Sequence, residues 1–405
     1  MDEQGDDTLS PKIWLSDRIS KGVKLGLENC TEMLIRLGNP EKKFPSVHVA
    51  GTNGKGSLCA NLSALAAENK LIVGFFSSPH LIFVEERARI NGRPVDSKIF
   101  DKHLNSVMNA SQIEPVIETT YFETTFLTTM LVFADAEIDI AIMETGLGGR
   151  LDATRLVNAS VCAITTISHD HSEILGDTLA EIASEKAGIY RPNIPLFSLY
   201  HKDIEVRNVI KKIAGNDLKW FKPMSNNGWE ISKNFAKMIA KYLGWQILDY
   251  QVIWPGRSID SIKWIENKKC IVSAAHNIES IENDIQFIDE KHVMLLGMTK
   301  KSNLEDTLKE FKNYSNCCYS IITEPSGGRN PPVPSEEIIS KLKIVGFDKL
   351  ESINNTIDAF KKIELKSKQL DSSVLIIGSI YLIGDIMNYI AKRDNLNLYD
   401  LLTIH

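Results

Sequence analysis

Short runs of β-branched and apolar residues recur along the chain, and the stretches between them carry apolar positions at helical spacing. VHVA (47–50) precedes a helix predicted over 57–68. IVGFF (72–76), IDIAIME (138–144), VCAITTI (161–167) and PLFSLY (195–200) follow, with helical spacing near 124–136 and 178–187. Alternation of this kind predicts a mostly parallel sheet with helices on both faces. After the turn-rich KPMSNNG (222–228) and a helical stretch near 232–243, WPGR (254–257) interrupts the pattern. A second alternating series then begins: CIVSAA (270–275), HVMLLGM (292–298), YSIIT (319–323) and VLIIG (374–378), separated by helical spacing over 304–312 and 356–364. The expected architecture is α/β in two domains, 1–254 and a smaller Rossmann-like 258–405, joined by a hinge at 255–257.

Length agrees, since 405 residues exceed one ordinary core. With 43% apolar and 24% charged residues the composition is that of a globular protein, and a net charge of −6 without a lysine or arginine block argues against nucleic acid as a partner. The most apolar stretch, 374–383, is too short to span a bilayer, so no membrane association is expected. Six cysteines without a C-x-x-C pair, and an acidic rather than basic start, suggest reduced thiols in a cytoplasm.

The chemistry concentrates after the first strand. SVHVAGTNGKGS (46–57) sets Gly51, Gly54, Gly56 and Lys55 between a strand and a helix, an arrangement in which backbone N–H groups, a point charge and a helix N-terminus meet phosphate oxygens. ATP or a relative is the expected ligand. The match to the common P-loop is imperfect: Val49 stands where a glycine is usual, and Gly56 separates Lys55 from Ser57. Glu144 closes an apolar strand and is followed by the glycine-rich TGLGGRLDAT (145–154), at the kind of sheet edge where α/β proteins bind ligands. A glutamate there can also be simply solvated. Ser168, His169, Asp170 and His171 end another strand; imidazole and carboxylate can both ligate a divalent cation, although Mg²⁺ prefers oxygen, and a polar loop is the plainer reading. Lys186, in ASEKAGIY, lies on a helix where the default for a lysine is a solvated face.

Taken in order, GTNGKGS (51–57), SSPHL (77–81), ERARING (86–92), TYFE (120–123), ETGLGGRLDAT (144–154), DH (170–171), EKAGI (185–189), PGR (255–257), AHN (275–277) and GSIYLIGD (378–385) resemble the signatures of the folylpolyglutamate synthase and dihydrofolate synthase group, ATP-dependent amide ligases of Mur type. The resemblance implies that Asn53, Gly54, Lys55, Gly56 and Ser57 hold ATP phosphates, with Asn234, Arg257, Ser273 and His276 also at the nucleotide. It implies Ser78, Glu144 and His171 as Mg²⁺ ligands. Lys186, fifteen positions after His171, matches a lysine carbamylated in that family, whose anion would serve a second Mg²⁺. Lys186, His171 and Lys55 would then be the catalytic residues, and Thr120, Leu151, Asp152 and Ala153 would line a pterin pocket. One departure stands out: the family's DGAHN reads SAAHN here, with Ser273 in place of an aspartate.

The implied reaction joins L-glutamate to dihydropteroate or to a reduced folate through an acyl phosphate, with ATP and Mg²⁺, on a cytoplasmic monomer. Two alternatives are a Mur-like ligase with another carboxylate acceptor and a nucleotide-binding regulatory protein without catalysis.

Overall fold

The computed structural model describes residues 10–22, 24, 26–256, 261–300, 304–312, 314–328 and 330–405, and it holds two sheets in series. The first is built from β1 (Ser46–Ala50), β2 (Val73–Phe76), β3 (Ala88–Ile90), β4 (Arg93–Pro94), β5 (Ile140–Glu144), β6 (Ala159–Ile164), β7 (Leu196–Leu199) and β8 (Leu218–Phe221). Their order is β4-β3-β2-β5-β1-β6-β7-β8. From β2 to β8 the pairing is parallel, and the β3–β4 hairpin adds an antiparallel edge.

The second sheet holds β9 (Ser261–Ile265), β10 (Lys268–Ser273), β11 (His292–Leu296), β12 (Cys317–Glu324), β13 (Leu350–Asn355) and β14 (Ser373–Ile377), ordered β13-β12-β11-β14-β10-β9. Only β9 runs antiparallel. The architecture is therefore the two-domain, mostly parallel α/β fold that the pattern predicts.

The strand period of two explains the double burial. Val47 and Val49 share one core with Leu58, Leu62 and Leu65 of the helix Lys55–Glu68 and with Phe235 and Ile239 of the helix Gly228–Tyr242. Ala50 belongs to the opposite core, with Phe126 and Met130 of the helix Tyr121–Asp135. Each large aliphatic side chain fully buried in this way contributes roughly 1.5–3 kcal/mol.

Two strand ends differ from expectation for a local reason. The run predicted to 167 stops at Ile164 because Thr165 and Thr166 turn their hydroxyls to the Asn53 backbone: Thr165 Oγ1 donates to Asn53 O (2.7 Å) and Thr166 Oγ1 accepts from Asn53 N (3.1 Å). The run predicted to 275 stops at Ser273, whose Oγ accepts from Ala275 N at 3.0 Å. The short or polar strands β3, β4, β8, β9 and β13 carry too weak an alternation to have been predicted.

The chain passes from the first sheet to the second after Tyr242, and Arg257 lies outside the described residues. The last residues return to the first sheet. Ile404 is buried in its core, donates to Gly92 O (3.2 Å) and accepts from Ile253 N (3.0 Å), while Leu402 belongs to the core of the second sheet. Among the described residues no helix is long and apolar enough to cross a membrane.

Candidate active site

The order β2-β5-β1-β6 brings four carboxyl-terminal strand ends side by side, so Ser78, Glu144, the glycine loop and the 168–171 loop share one edge of the sheet. Gly51 opens the loop with φ +150°, and a Cβ there would lie 1.8 Å from Thr165 Oγ1, so no side chain fits. The helix Lys55–Glu68 starts immediately after Gly54 and aims its N-terminal N–H groups at the loop. Gly56 has a different reason: a Cβ at this position would sit 3.0 Å from Trp254 Nε1. The indole before the Pro-Gly turn thus lies directly on the first turn of the phosphate-loop helix.

Two lysines converge on one carbonyl. Lys55 Nζ donates to Gly51 O (3.0 Å) and Thr52 O (3.1 Å), and Lys186 Nζ donates to Gly51 O (3.0 Å) from the helix Leu179–Ala187. Lys186 is only 4% exposed, and burial together with the nearby Lys55 charge pulls its pKa down to about 7. The solvated-face reading of Lys186 is overturned: it is an interior amine that can be neutral.

Glu144 is buried at the end of β5 and accepts from Ser78 N at 3.2 Å. His171 stands two strands away, with positive φ (+54°) and a side chain 49% exposed, within 4.0 Å of Asp170 and 3.7 Å of Glu173. Among the described residues no three His, Cys, Asp or Glu side chains are grouped to hold a metal. The expected donor set is of another kind, a hydroxyl, a carboxylate, an imidazole and a modified lysine; of these Glu144 is tied to the backbone N–H of Ser78.

Thr120 and Asp152 shape the neighbouring walls. Thr120 caps the helix Tyr121–Asp135, its Oγ1 accepting from Glu123 N (3.2 Å) while the Glu123 carboxylate accepts from Thr120 N (2.7 Å). Asp152 accepts from Gly146 N (2.9 Å), Leu147 N (2.9 Å) and Thr154 N (3.0 Å), folding the glycine-rich loop about one buried carboxylate. Burial raises its pKa, and these bonds oppose the rise. Ala153 is buried beside it and Leu151 half-buried.

The remaining expected residues lie toward the second sheet. Asn234 is exposed on the helix Gly228–Tyr242, whereas Ser232 of the same helix is buried, its Oγ 3.9 Å from where a Cβ on Gly54 would lie. Ser273 is buried and hydrogen-bonded to Asp284, whose own pKa burial raises to about 6. His276 Nδ1 lies 2.7 Å from Ala274 O.

Several residues at this edge were given no role by the sequence, although all of them but Glu279 stand within the quoted signature runs. Glu86 accepts from the N–H groups of Leu81, Ile82 and Phe83 and holds the 77–83 loop, and the buried Arg87 donates to His80 Nδ1 at 3.1 Å. Burial with Arg87 and Arg89 drives His80 down to about 3, so its ring is neutral. His80 lines a cavity of about 240 Å³ between this loop and the second domain, with Tyr381 and Asp385 opposite. Asn277 and Glu279, from the second domain, reach the phosphate loop itself.

The model of the Mur ligase middle domain matches residues 49–236, the stretch that carries this edge. A Bacillus subtilis dihydrofolate synthase/folylpolyglutamate synthase is 41% identical over 191 residues, 46% of this chain and 44% of that protein, so that match spans less than half of the relative. Saccharomyces cerevisiae dihydrofolate synthetase is 26% identical over 427 residues, 90% of this chain and 97% of that one. Over nine-tenths of its length the chain is therefore similar to a dihydrofolate synthetase, and over about half to dihydrofolate synthase/folylpolyglutamate synthases. Its fold matches that of Escherichia coli FolC in complex with DHPP and ADP, with a TM-score of 0.81 at 24% identity over 96% of this chain and 99% of that one. A Mycobacterium tuberculosis folylpolyglutamate synthase complexed with ADP and AMPPCP gives a TM-score of 0.82 at 22% identity over 94% and 98%. Within this fold Ser78, the phosphate loop, Glu144 and the 168–171 loop, far apart in sequence, lie along the β2-β5-β1-β6 edge.

Proposed function

We propose that the chain is an ATP-dependent ligase that joins the amine of L-glutamate to the carboxylate of dihydropteroate, of a folate, or of both. The observation that carries this reading is the pair of lysines at Gly51: one on the phosphate loop, the other buried with a lowered pKa, both beside the strand ends of Ser78 and Glu144. The acceptor carboxylate attacks the γ-phosphorus of ATP, forming an acyl phosphate and releasing ADP. The glutamate amine then attacks the acyl carbon; a C–N bond forms, the C–O bond to phosphate breaks, and inorganic phosphate and a proton leave.

This chain's residues would meet the needs of that sequence as follows. Asn53 to Ser57 would cradle the phosphates, and Lys55 would supply charge to the transferring group. Asn234, Arg257, Ser273 and His276 would reach the nucleotide from the hinge side. Thr120 and the Leu151 to Ala153 turn would support the pterin wall, Asp152 by holding the loop in shape rather than by contact through its own committed oxygens. Ser78, Glu144 and His171 would hold one Mg²⁺, and a carbamate on Lys186 a second. Such ions neutralise charge on the phosphate oxygens when bound. The Ser78 and Glu144 oxygens suit a hard cation, and a deprotonatable Lys186 suits carbamate formation, since CO₂ reacts with the neutral amine. Relatives point the same way: a Yersinia pestis bifunctional enzyme was solved with Mn, AMPPNP and L-glutamate bound. Domain 1–254 would act with domain 258–405 across the 255–257 hinge, as a monomer in the cytoplasm.

The test is ADP release by the purified chain with ATP, Mg²⁺ and L-glutamate, comparing dihydropteroate with tetrahydrofolate and identifying the product by mass spectrometry. A product heavier than its acceptor by one glutamyl residue, in at least one arm, is the expected result. ADP release that no acceptor stimulates, with no conjugate formed, would overturn the reading.

A further inference from the structure

One carboxylate of the second domain joins the phosphate loop and the strand-end loop beside it. Glu279, in the first turn of the helix Ile278–Ile285, accepts from Asn53 Nδ2, from Ser168 Oγ (2.7 Å) and from Thr166 Oγ1 (3.2 Å), three donors that all belong to the first domain. Two residues earlier, Asn277 caps the same helix by accepting from Ser280 N (2.9 Å), and its amide reaches Asn53 Oδ1 (3.0 Å) and Asp170 Oδ2 (3.4 Å). Glu279 is held in place by its own helix, because a carboxylate in the first turn is favoured by the N-terminal dipole. At the other end, Asn53 is bound to the strand-end loop through its own backbone: its N–H donates to Thr166 Oγ1 (3.1 Å) and its C=O accepts from Thr165 Oγ1 (2.7 Å).

We propose that Glu279 is an interdomain latch, a positioning residue that holds the second domain closed over the phosphate loop while the acyl phosphate exists. Three separate donors on one carboxylate give the contact a defined geometry, and both of its anchors are short, preorganised segments. Asn53 lies inside the loop that the proposed function assigns to the phosphates, so the latch reads the state of that loop directly. Without the latch, water reaches the site, attacks the acyl phosphate, and returns the free carboxylate and inorganic phosphate. ATP is then spent without an amide. The inference rests on the ligase reading for its chemical consequence, but the contact itself can be tested without turnover.

Glu279→Ala and Glu279→Gln are the variants. Glutamine keeps an acceptor oxygen for the two hydroxyls and the Asn53 amide, so it is expected to restore much of what alanine loses. In hydrogen exchange of the nucleotide-free chain, Glu279→Ala is expected to exchange several-fold faster at amides in 51–57 and 165–170, with β11 and β12 unchanged. In the coupled assay it is expected to release two or more ADP per amide formed, against one for the parent, and to raise KM for glutamate more than it lowers kcat for ADP release. Parent-like exchange in Glu279→Ala overturns the latch, and so does an ADP-to-amide ratio of one in that variant. A parent chain that forms no amide defeats the ligase reading separately, and the exchange comparison then decides the latch alone.

Discussion

Lys55 and Lys186 donate to the same carbonyl oxygen, and only Lys186 is deeply buried. Two ammonium groups so close repel one another, and burial adds to the cost of the second charge; both effects favour the neutral form of Lys186 and pull its pKa to about 7. The neutral fraction therefore rises as pH passes upward through 7, and with it the capacity to take up CO₂. Lys186→Ala is expected to lose at least about 100-fold in turnover, as befits a group acting on the reacting phosphates, while retaining ATP binding through Lys55. Short carboxylic acids should restore part of the activity by replacing the missing anion. With ¹³C-bicarbonate, a carbamate resonance should grow between pH 6 and pH 8 in the parent and be absent from the variant. An unmodified lysine in active, Mg²⁺-loaded protein would refute the carbamate and leave the ligase reading in place.

At the scale of elements, the helix Ile278–Ile285 is set against β10 through Asp284 and Ser273. The resemblance leads one to expect an aspartate at 273; the chain has serine, yet a carboxylate is present beside it, brought by Asp284 from the following helix. The sequence could not show this, because the two positions are linked by packing and not by any spacing rule. The phosphate loop, Glu144 and the apolar central strands of both sheets were legible, since each is a local run whose pattern declares itself, whereas the short or polar β3, β4, β8, β9 and β13 were not. Nor were the contacts of Glu279, Asn277 and Trp254, although AHN and WPGR stand out as runs, because their significance lies in what the folded chain brings to them. Asp284 also sets a pH dependence. Its pKa of about 6 lies above the ordinary 3.8, so the folded chain binds that proton more tightly than the unfolded chain. The stabilisation is full below pH 4 and is lost as pH rises through about 6, a change of at most ~3 kcal/mol. Asp284→Asn removes the titration. Urea unfolding at pH 4.5 and pH 7.5 should show the variant gaining stability relative to the parent at the higher pH, and an equal difference at both would contradict the assignment.

Across the whole molecule, the two sheets are joined covalently by the segment after Tyr242 and again, without a covalent link, by the returning tail. Leu402 packs in the second core and Ile404 in the first, with Ile404 bonded on both sides of its backbone to Gly92 and Ile253. Ile253 is adjacent to Trp254, which lies on Gly56 of the phosphate-loop helix. The tail, the interdomain segment and the phosphate loop thus pack together at one corner. The Glu279 contact lies at a different place, the strand-end edge that carries the phosphate loop. Loosening the corner and releasing the latch are therefore distinguishable. Ile404→Ala leaves a cavity in the first core and is expected to cost about 2–4 kcal/mol in stability, seen as a lower urea midpoint with little change in slope. Because the Glu279 contact is intact in this variant, ADP per amide should stay near one at temperatures where the chain is folded. An unchanged urea midpoint would show that the tail is not part of the first core, and uncoupled ATP use in Ile404→Ala would show that the corner, not the latch alone, keeps water from the acyl phosphate.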